Sequence, residues 1–192
     1  MDRLGEVPPG PLREFQRVGA DLYRQGLVTS HGGNLSLRDG HGMWITRTGA
    51  RLGHIQDRDI TYVQPSGAHS GAPPSSDTIL HTTVYALSGA QAVAHAHPRH
   101  ATAITFETDT FEPPDFEGQH HLKSVPVIEN DATGTERLAH ALQANLVVVL
   151  RGHGAYARGQ DLWDALHWIM ALEESAHIAW LKRTWDAAAP KE

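Results

Sequence analysis

SHGGNLSLRDGHGMWITRTG, residues 30–49, alternates, turns and alternates again. Asn34 to Arg38 places every second residue on one face, Asp39-Gly40 and Gly42 supply turn chemistry, and Met43 to Thr46 resumes as a strand. Such a hairpin argues against a purely parallel sheet. Upstream, Leu12, Phe15, Val18, Leu22 and Tyr23 recur at helical spacing until Gly26. Downstream, Ile60 to Val63 reads as a weaker strand. A helix follows from Ser76, with Ser75 or Ser76 as its cap and Ile79, Leu80, Val84 and Leu87 as its apolar stripe. Ala92 to Ala96 is a short strand, Arg99 to Phe106 a helix, Val125 to Ile128 a strand and Thr133 to Ala144 a helix. Leu146 to Leu150 is continuously apolar, the mark of a strand buried on both faces. A long amphipathic helix runs from about Asp161 to Trp185. The expected class is α/β: one mixed, largely antiparallel sheet between helical layers, a three-layer α/β/α arrangement forming a single domain over residues 1–192.

Composition narrows the function. The chain has 192 residues, 14 histidines, no cysteine and a net charge of −6. Without cysteine, any metal site must use nitrogen and oxygen, and neither a disulfide framework nor a thiolate nucleophile is available. The negative balance argues against a nucleic-acid partner. No apolar run approaches the roughly 20 residues that span a bilayer, and MDRLGEVPPG lacks the basic start and apolar core of a secretory signal. A cytoplasmic protein without a membrane partner is expected.

Four motifs carry possible chemistry. In Ala94-His95-Ala96-His97-Pro98 the histidines are two apart on a strand, so both imidazoles share a face and can meet one ion. The same residues also fit two half-exposed histidines at a strand end. Arg151-Gly152-His153-Gly154 ends an apolar strand, reading either as a Gly-rich turn or as the source of a third nitrogen. Three histidines with an open position form a common catalytic zinc arrangement. Pro73-Pro74-Ser75-Ser76-Asp77 precedes a helix N-terminus, where simple capping and anion binding both fit. Gly32-Gly33-Asn34 with Thr46-Arg47-Thr48-Gly49 is neither a Walker loop nor a dinucleotide turn, yet its backbone donors can cradle a phosphate. Trp163, Trp168, Trp180 and Trp185 on the last helix are expected mainly in the core, with a surplus face for subunit contact.

In chain order, GGN (32–34), TRTG (46–49), PSSD with a histidine four residues on (Ser75 to His81), HAHPRH (95–100) and RGHG (151–154) resemble the class II aldolase/adducin superfamily. The resemblance spans roughly residues 12–183 and is nearest to its fuculose-1-phosphate aldolase-like proteins. It implies Zn2+, one per subunit, on His95, His97 and His153. It implies proton transfer by Asp77 and a substrate phosphate held by Asn34, Thr48, Gly49, Ser75 and Ser76. The implied reaction is cleavage of a phosphorylated ketose to dihydroxyacetone phosphate and an aldehyde through a metal-stabilised enediolate. The implied assembly is a homotetramer with active sites between subunits. Two departures stand out. Asp77 occupies the position of the aldolases' glutamate and looks more like the ribulose-5-phosphate 4-epimerase branch. The family's C-terminal tyrosine has no counterpart beyond Tyr156, which leaves Glu117, His120 or His121, in a polar loop after Pro114, as substitutes for the general acid. His31 and His100 are candidate neighbours of the metal. An epimerase, a sugar-phosphate dehydratase or decarboxylase, and a non-catalytic adducin-like module are the alternatives.

Overall fold

The computed structural model describes residues 6–188. Helix α1 (Pro9–Arg24) starts on prolines whose missing N–H groups cost nothing at a first turn, and it buries Phe15, Val18 and Leu22. The expected hairpin is β1 (Asn34–Asp39) with β2 (Gly42–Thr46), paired antiparallel. Two short 3-10 turns lead into β3 (Ile60–Val63). Then come α2 (Thr78–Leu87), β4 (Ala92–Ala96) and α3 (Arg99–Ile104). They are followed by β5 (Thr110–Phe111), α4 (Phe116–His121) and β6 (Val125–Ile128). The chain closes with α5 (Gly134–Ala144), β7 (Val147–Leu150), β8 (Gly154–Gly159) and α6 (Leu162–Ala188).

The eight strands form one sheet in the order β3-β2-β1-β4-β8-β7-β6-β5. Only β6 and β7 run parallel, so the sheet is mixed and largely antiparallel as expected. Phe15, Val18 and Leu22 of α1, Ala101 of α3 and Leu166, Ile169 and Leu172 of α6 pack on one face with Leu35, Ala94 and Ala155. Leu80 and Val84 of α2 and Leu138 and Leu142 of α5 pack on the other with Ile45, Val93 and Val148. These are the three layers. β4 is buried along its length and, apart from His95, consists of alanine and valine, which lets helices approach both of its faces. Among the described residues, no helix is long and apolar enough to cross a membrane.

The structure corrects several expectations. Residues 116–121, read as polar loop, form α4, because the Asp115 carboxylate accepts from the Gly118 N–H at 2.8 Å and caps the turn. β8 was not foreseen: its small residues carry no strand signal, and pairing on both edges, with β4 and β7, supplies what propensity lacks. α2 starts at Thr78 with Asp77 at the N-cap and no side-chain cap, rather than with a serine cap at 75 or 76. The tryptophans of α6 are not mainly core. Only Trp168 packs against it, whereas Trp163, Trp180 and Trp185 are exposed.

Candidate metal centre and active site

β4 carries the site. Register pairs Asn34 of β1 with His95 of β4, and His95 with Tyr156 of β8. Directly paired residues project from one face, so the three side chains form a row across adjacent strands. His95 is buried, and its Nδ1 donates to the Ala155 carbonyl at 3.0 Å. That bond leaves Nε2 as a lone pair aimed outward. His97 follows the strand end, where its N–H donates to Leu27 O at 2.7 Å. His153 sits on the turn between β7 and β8. Gly152 there adopts a positive φ of 65° and donates to Thr105 Oγ1 at 3.0 Å. Arg151 secures the same turn by ion pairs with Glu129 and Asp109 and a bond to Thr105 O.

The three histidines converge. His95 Nε2 lies 3.0 Å from His97 Nε2 and 3.1 Å from His153 Nε2, and all three nitrogens fall within 4.8 Å of one another. With Nδ1 of His95 already a donor, its Nε2 faces two further nitrogens, an arrangement that a shared cation satisfies. Tetrahedral zinc with ordinary Zn–N bonds separates its ligands by roughly 3.3 Å, close to the spacings found. Burial pushes the pKa of His95 down to about 3, the charge of Asp77 acting the other way and His97 adding to the fall, so the imidazole is in its neutral, ligating form. His97 is also pushed below its ordinary value, by burial and then by His153. The residues present fit a divalent metal of the zinc type.

The glycines of the motifs are there for clearance. A Cβ on Gly154 would meet Ala96 O at 2.4 Å and His97 Cδ2 at 2.7 Å, and one on Gly32 would meet His97 Nδ1 at 2.8 Å.

Asp77 overhangs the row. Its Oδ2 accepts from Asn34 Nδ2 at 2.8 Å and from the Tyr156 hydroxyl at 3.0 Å. Burial alone would raise its pKa. The facing His95 and the bonds from Asn34 and Tyr156 outweigh that and hold it below the usual carboxylate value. Tyr156 is pushed up, by burial and then by the Asp77 charge, so its hydroxyl is a proton donor. Beneath Asp77, His81 is fully buried, its Nδ1 2.6 Å from Ser36 Oγ, which also meets Tyr85 OH at 2.6 Å.

A cleft of about 250 Å³ brings His95, His97, His153 and Asp77 together with Asn34, Thr48, Gly49, Ser75, Ser76 and His31. Gly32, Gly33 and Arg47 complete its lining. Thr48 and Ser75 clamp two segments against each other: Thr48 Oγ1 donates to Pro74 O at 2.8 Å and Ser75 N–H to Thr46 O at 3.1 Å. Among the described residues, the N–H groups of Gly49 and Ser76, both lining the cleft, have no protein partner. Arg47 is the cleft's cation, paired with Asp59 at 2.8 Å.

The family profile of the class II aldolase and adducin N-terminal domain matches residues 13–180. The chain belongs to this family. Its relatives include an L-fuculose phosphate aldolase of Methanocaldococcus jannaschii, 28% identical over 88% of this chain and 95% of the relative. A methylthioribulose-1-phosphate dehydratase of Acidiphilium cryptum is 35% identical over 88% and 89%. The crystal structure of L-fuculose-1-phosphate aldolase from Thermus thermophilus superposes with a TM-score of 0.88 at 35% identity, covering 94% of this chain and 98% of that one. The chain is thus an enzyme of the class II aldolase superfamily.

Within this class II aldolase chain, the other expected site residues lie elsewhere. α3 turns away from the cleft, so His100 bonds Glu173 at 2.8 Å and stacks on His177 instead of approaching His97. Glu117 and His121 pair with each other at 3.4 Å on α4, with His120 beside them, outside the cleft. The helix that sequence reading took for a loop is what directs them outward. Tyr156 and Arg47 are the residues sequence reading missed. The Arg47 signal was its place inside TRTG. For Tyr156 the signal was its position three residues beyond His153 on an unrecognised strand.

Proposed function

We propose that this chain is a zinc-dependent aldolase that cleaves a phosphorylated ketose of the fuculose-1-phosphate type to dihydroxyacetone phosphate and an aldehyde. The observation that carries this reading is the convergence of His95, His97 and His153 in a cleft that Asp77 and the unpartnered backbone donors of Gly49 and Ser76 also line. In it, His95, His97 and His153 hold the metal, which when bound supplies Lewis-acid stabilisation of negative charge on the substrate's oxygens. Gly49 and Ser76 offer N–H groups to the phosphate, Ser75 and Thr48 hold those two segments together, and Asn34 keeps one amide hydrogen on Asp77. A phosphate gripped there fixes the carbon chain relative to Asp77. Asp77, ionised at neutral pH, removes a proton from carbon in the synthetic direction and returns it in cleavage. His31, which also lines the cleft, serves as the proton donor to the leaving oxygen.

A second reading, a dehydratase acting on a ketose 1-phosphate, is favoured by the 35% identity to a methylthioribulose-1-phosphate dehydratase. It uses the same residues, with a hydroxyl rather than a carbon fragment leaving. An epimerase rests only on Asp77 in place of glutamate. The proposal extends to a cytoplasmic homotetramer with the sites between subunits, which the exposed Trp163, Trp180, Leu181 and Trp185 of α6 support.

The deciding experiment incubates zinc-loaded protein with a panel of ketose 1-phosphates and ketopentose 5-phosphates and identifies the products by NMR. Triose phosphate plus an aldehyde is expected. A dehydrated product supports the second reading, and neither from any substrate removes the aldolase. Asp77→Asn should lower turnover by at least about 100-fold.

A further inference from the structure

Register places Asn34, His95 and Tyr156 side by side on β1, β4 and β8, and Asp77 lies over them. Both flanking residues donate to the same carboxylate oxygen: Asn34 Nδ2 at 2.8 Å and Tyr156 OH at 3.0 Å from Oδ2. Among the described residues nothing donates to Oδ1, and Asp77 lines the cleft. The Tyr156 ring is not free to wander. It is buried and stacks on the His95 imidazole with centroids 3.9 Å apart and planes 9° apart. His95 is itself fastened through Nδ1 to Ala155 O. The hydroxyl is thus aimed by the sheet, independently of α2, which carries Asp77.

We propose that Tyr156 is a positioning residue for proton transfer: with Asn34 it clamps Oδ2 of Asp77 and leaves Oδ1 as the single oxygen that exchanges a proton with substrate carbon. The inference rests on Asp77 being the base of the proposed reaction. The balance is simple. In the synthetic direction a C–H bond breaks, its proton forms the O–H bond of Oδ1, and the electron pair stays on the substrate; cleavage runs the same transfer backward.

Two effects of the hydroxyl oppose each other. Donating to Oδ2 makes the carboxylate a weaker base, which slows proton removal. It also stops the short aspartate side chain from rotating its oxygens, which speeds the transfer by orienting it. Orientation dominates under the proposal, so removing the hydroxyl must slow the enzyme although it leaves a stronger base.

The test compares full-length wild type, Tyr156→Phe, Asp77→Asn and the double variant, all zinc-loaded, on fuculose 1-phosphate. Phenylalanine keeps the ring on His95, so zinc affinity, measured by competition with a chromophoric chelator, should stay within about twofold. kcat should fall about 10- to 100-fold, the usual cost of losing a partner that orients a site residue, with KM nearly unchanged. The double variant should be no slower than Asp77→Asn, because Tyr156 acts only through that carboxylate. Asn34→Ala, which removes the other donor, should lower kcat by a similar factor and serves if Tyr156→Phe does not fold. Tyr156→Phe at or above wild-type kcat, with Asp77→Asn impaired, overturns the clamp and leaves the base assignment standing. A further loss in the double variant overturns it too, by giving Tyr156 a role of its own. Full activity in Asp77→Asn instead removes the base, and the clamp with it.

Discussion

The buried imidazole of His81 links the site to stability. His81, under Asp77, is fully buried; burial pushes its pKa down to about 4, with the Asp77 charge resisting. Unfolded, it returns to about 6.5. Between those values the unfolded chain binds one more proton than the folded chain. The His81 contribution is therefore intact above about pH 6.5 and is lost as pH falls toward 4, by up to about 1.4 kcal/mol per pH unit. Melting curves of metal-free protein from about pH 7.5 to about pH 4.5 should show stability falling with pH, His95 and His97 adding to the slope, and His81→Leu should flatten it by one proton. Equal slopes in the two proteins would refute the assignment. His153 offers a second test at this scale. With its Nε2 3.1 Å from that of His95, His153→Ala removes one of three proposed ligands. Zinc retention after chelation and dialysis should fall from one per chain to near zero, and retained zinc would count against the site. His153 and the His95–His97 pair were legible as residue types at suggestive spacings. Their meeting was not, because the β7–β8 turn that folds His153 back depends on Arg151 reaching Glu129 and Asp109, far away in sequence.

At the scale of elements, the two ends of the site differ in what sequence could say. The β1–β2 hairpin and the apolar β7 were legible, since alternation and a continuous apolar run report directly on the faces a strand buries. β8 was not. Its residues Gly154, Ala155 and Ala157 have little strand preference and are held by neighbours on both edges. The same smallness is functional at Gly154, where a Cβ would press on Ala96 O and the His97 ring. Backbone cannot yield as a flexible side chain can. Gly154→Ala should therefore cost about 1–3 kcal/mol and weaken zinc binding by shifting His97. Calorimetry and chelator competition on one preparation check both, and a variant unchanged in each would show that the turn has slack. α4 marks the opposite error: its six residues carry too little periodicity to be told from a polar loop.

For the whole molecule, the proposed metal ties the end of β4 to the turn between β7 and β8, so it can bind only the folded chain. Free metal at about 1,000 times its dissociation constant would then stabilise the fold by about 4 kcal/mol. Chelation should lower the melting temperature of wild type but not of His153→Ala, as read by scanning calorimetry. An equal shift in both proteins would place the metal elsewhere. The proposed tetramer is testable at the same scale. Trp163, Trp180, Leu181 and Trp185 are large apolar side chains left exposed on α6. Light scattering should return the mass of four chains, and a single-chain mass would exclude that assembly.

Much of the architecture was written in local pattern. Apolar periodicity specified most strands and helices, absent cysteine confined any metal site to nitrogen and oxygen, and the order of five short motifs pointed to the family that the profile match then established. Those features are local or compositional, and one chain displays them without folding. Which atoms meet is another matter. That three Nε2 atoms converge, that His100 turns to Glu173, and that Asn34 and Tyr156 reach one oxygen of Asp77 all follow from register between strands far apart in sequence. Register is set by packing across the whole sheet, and no window of sequence contains it.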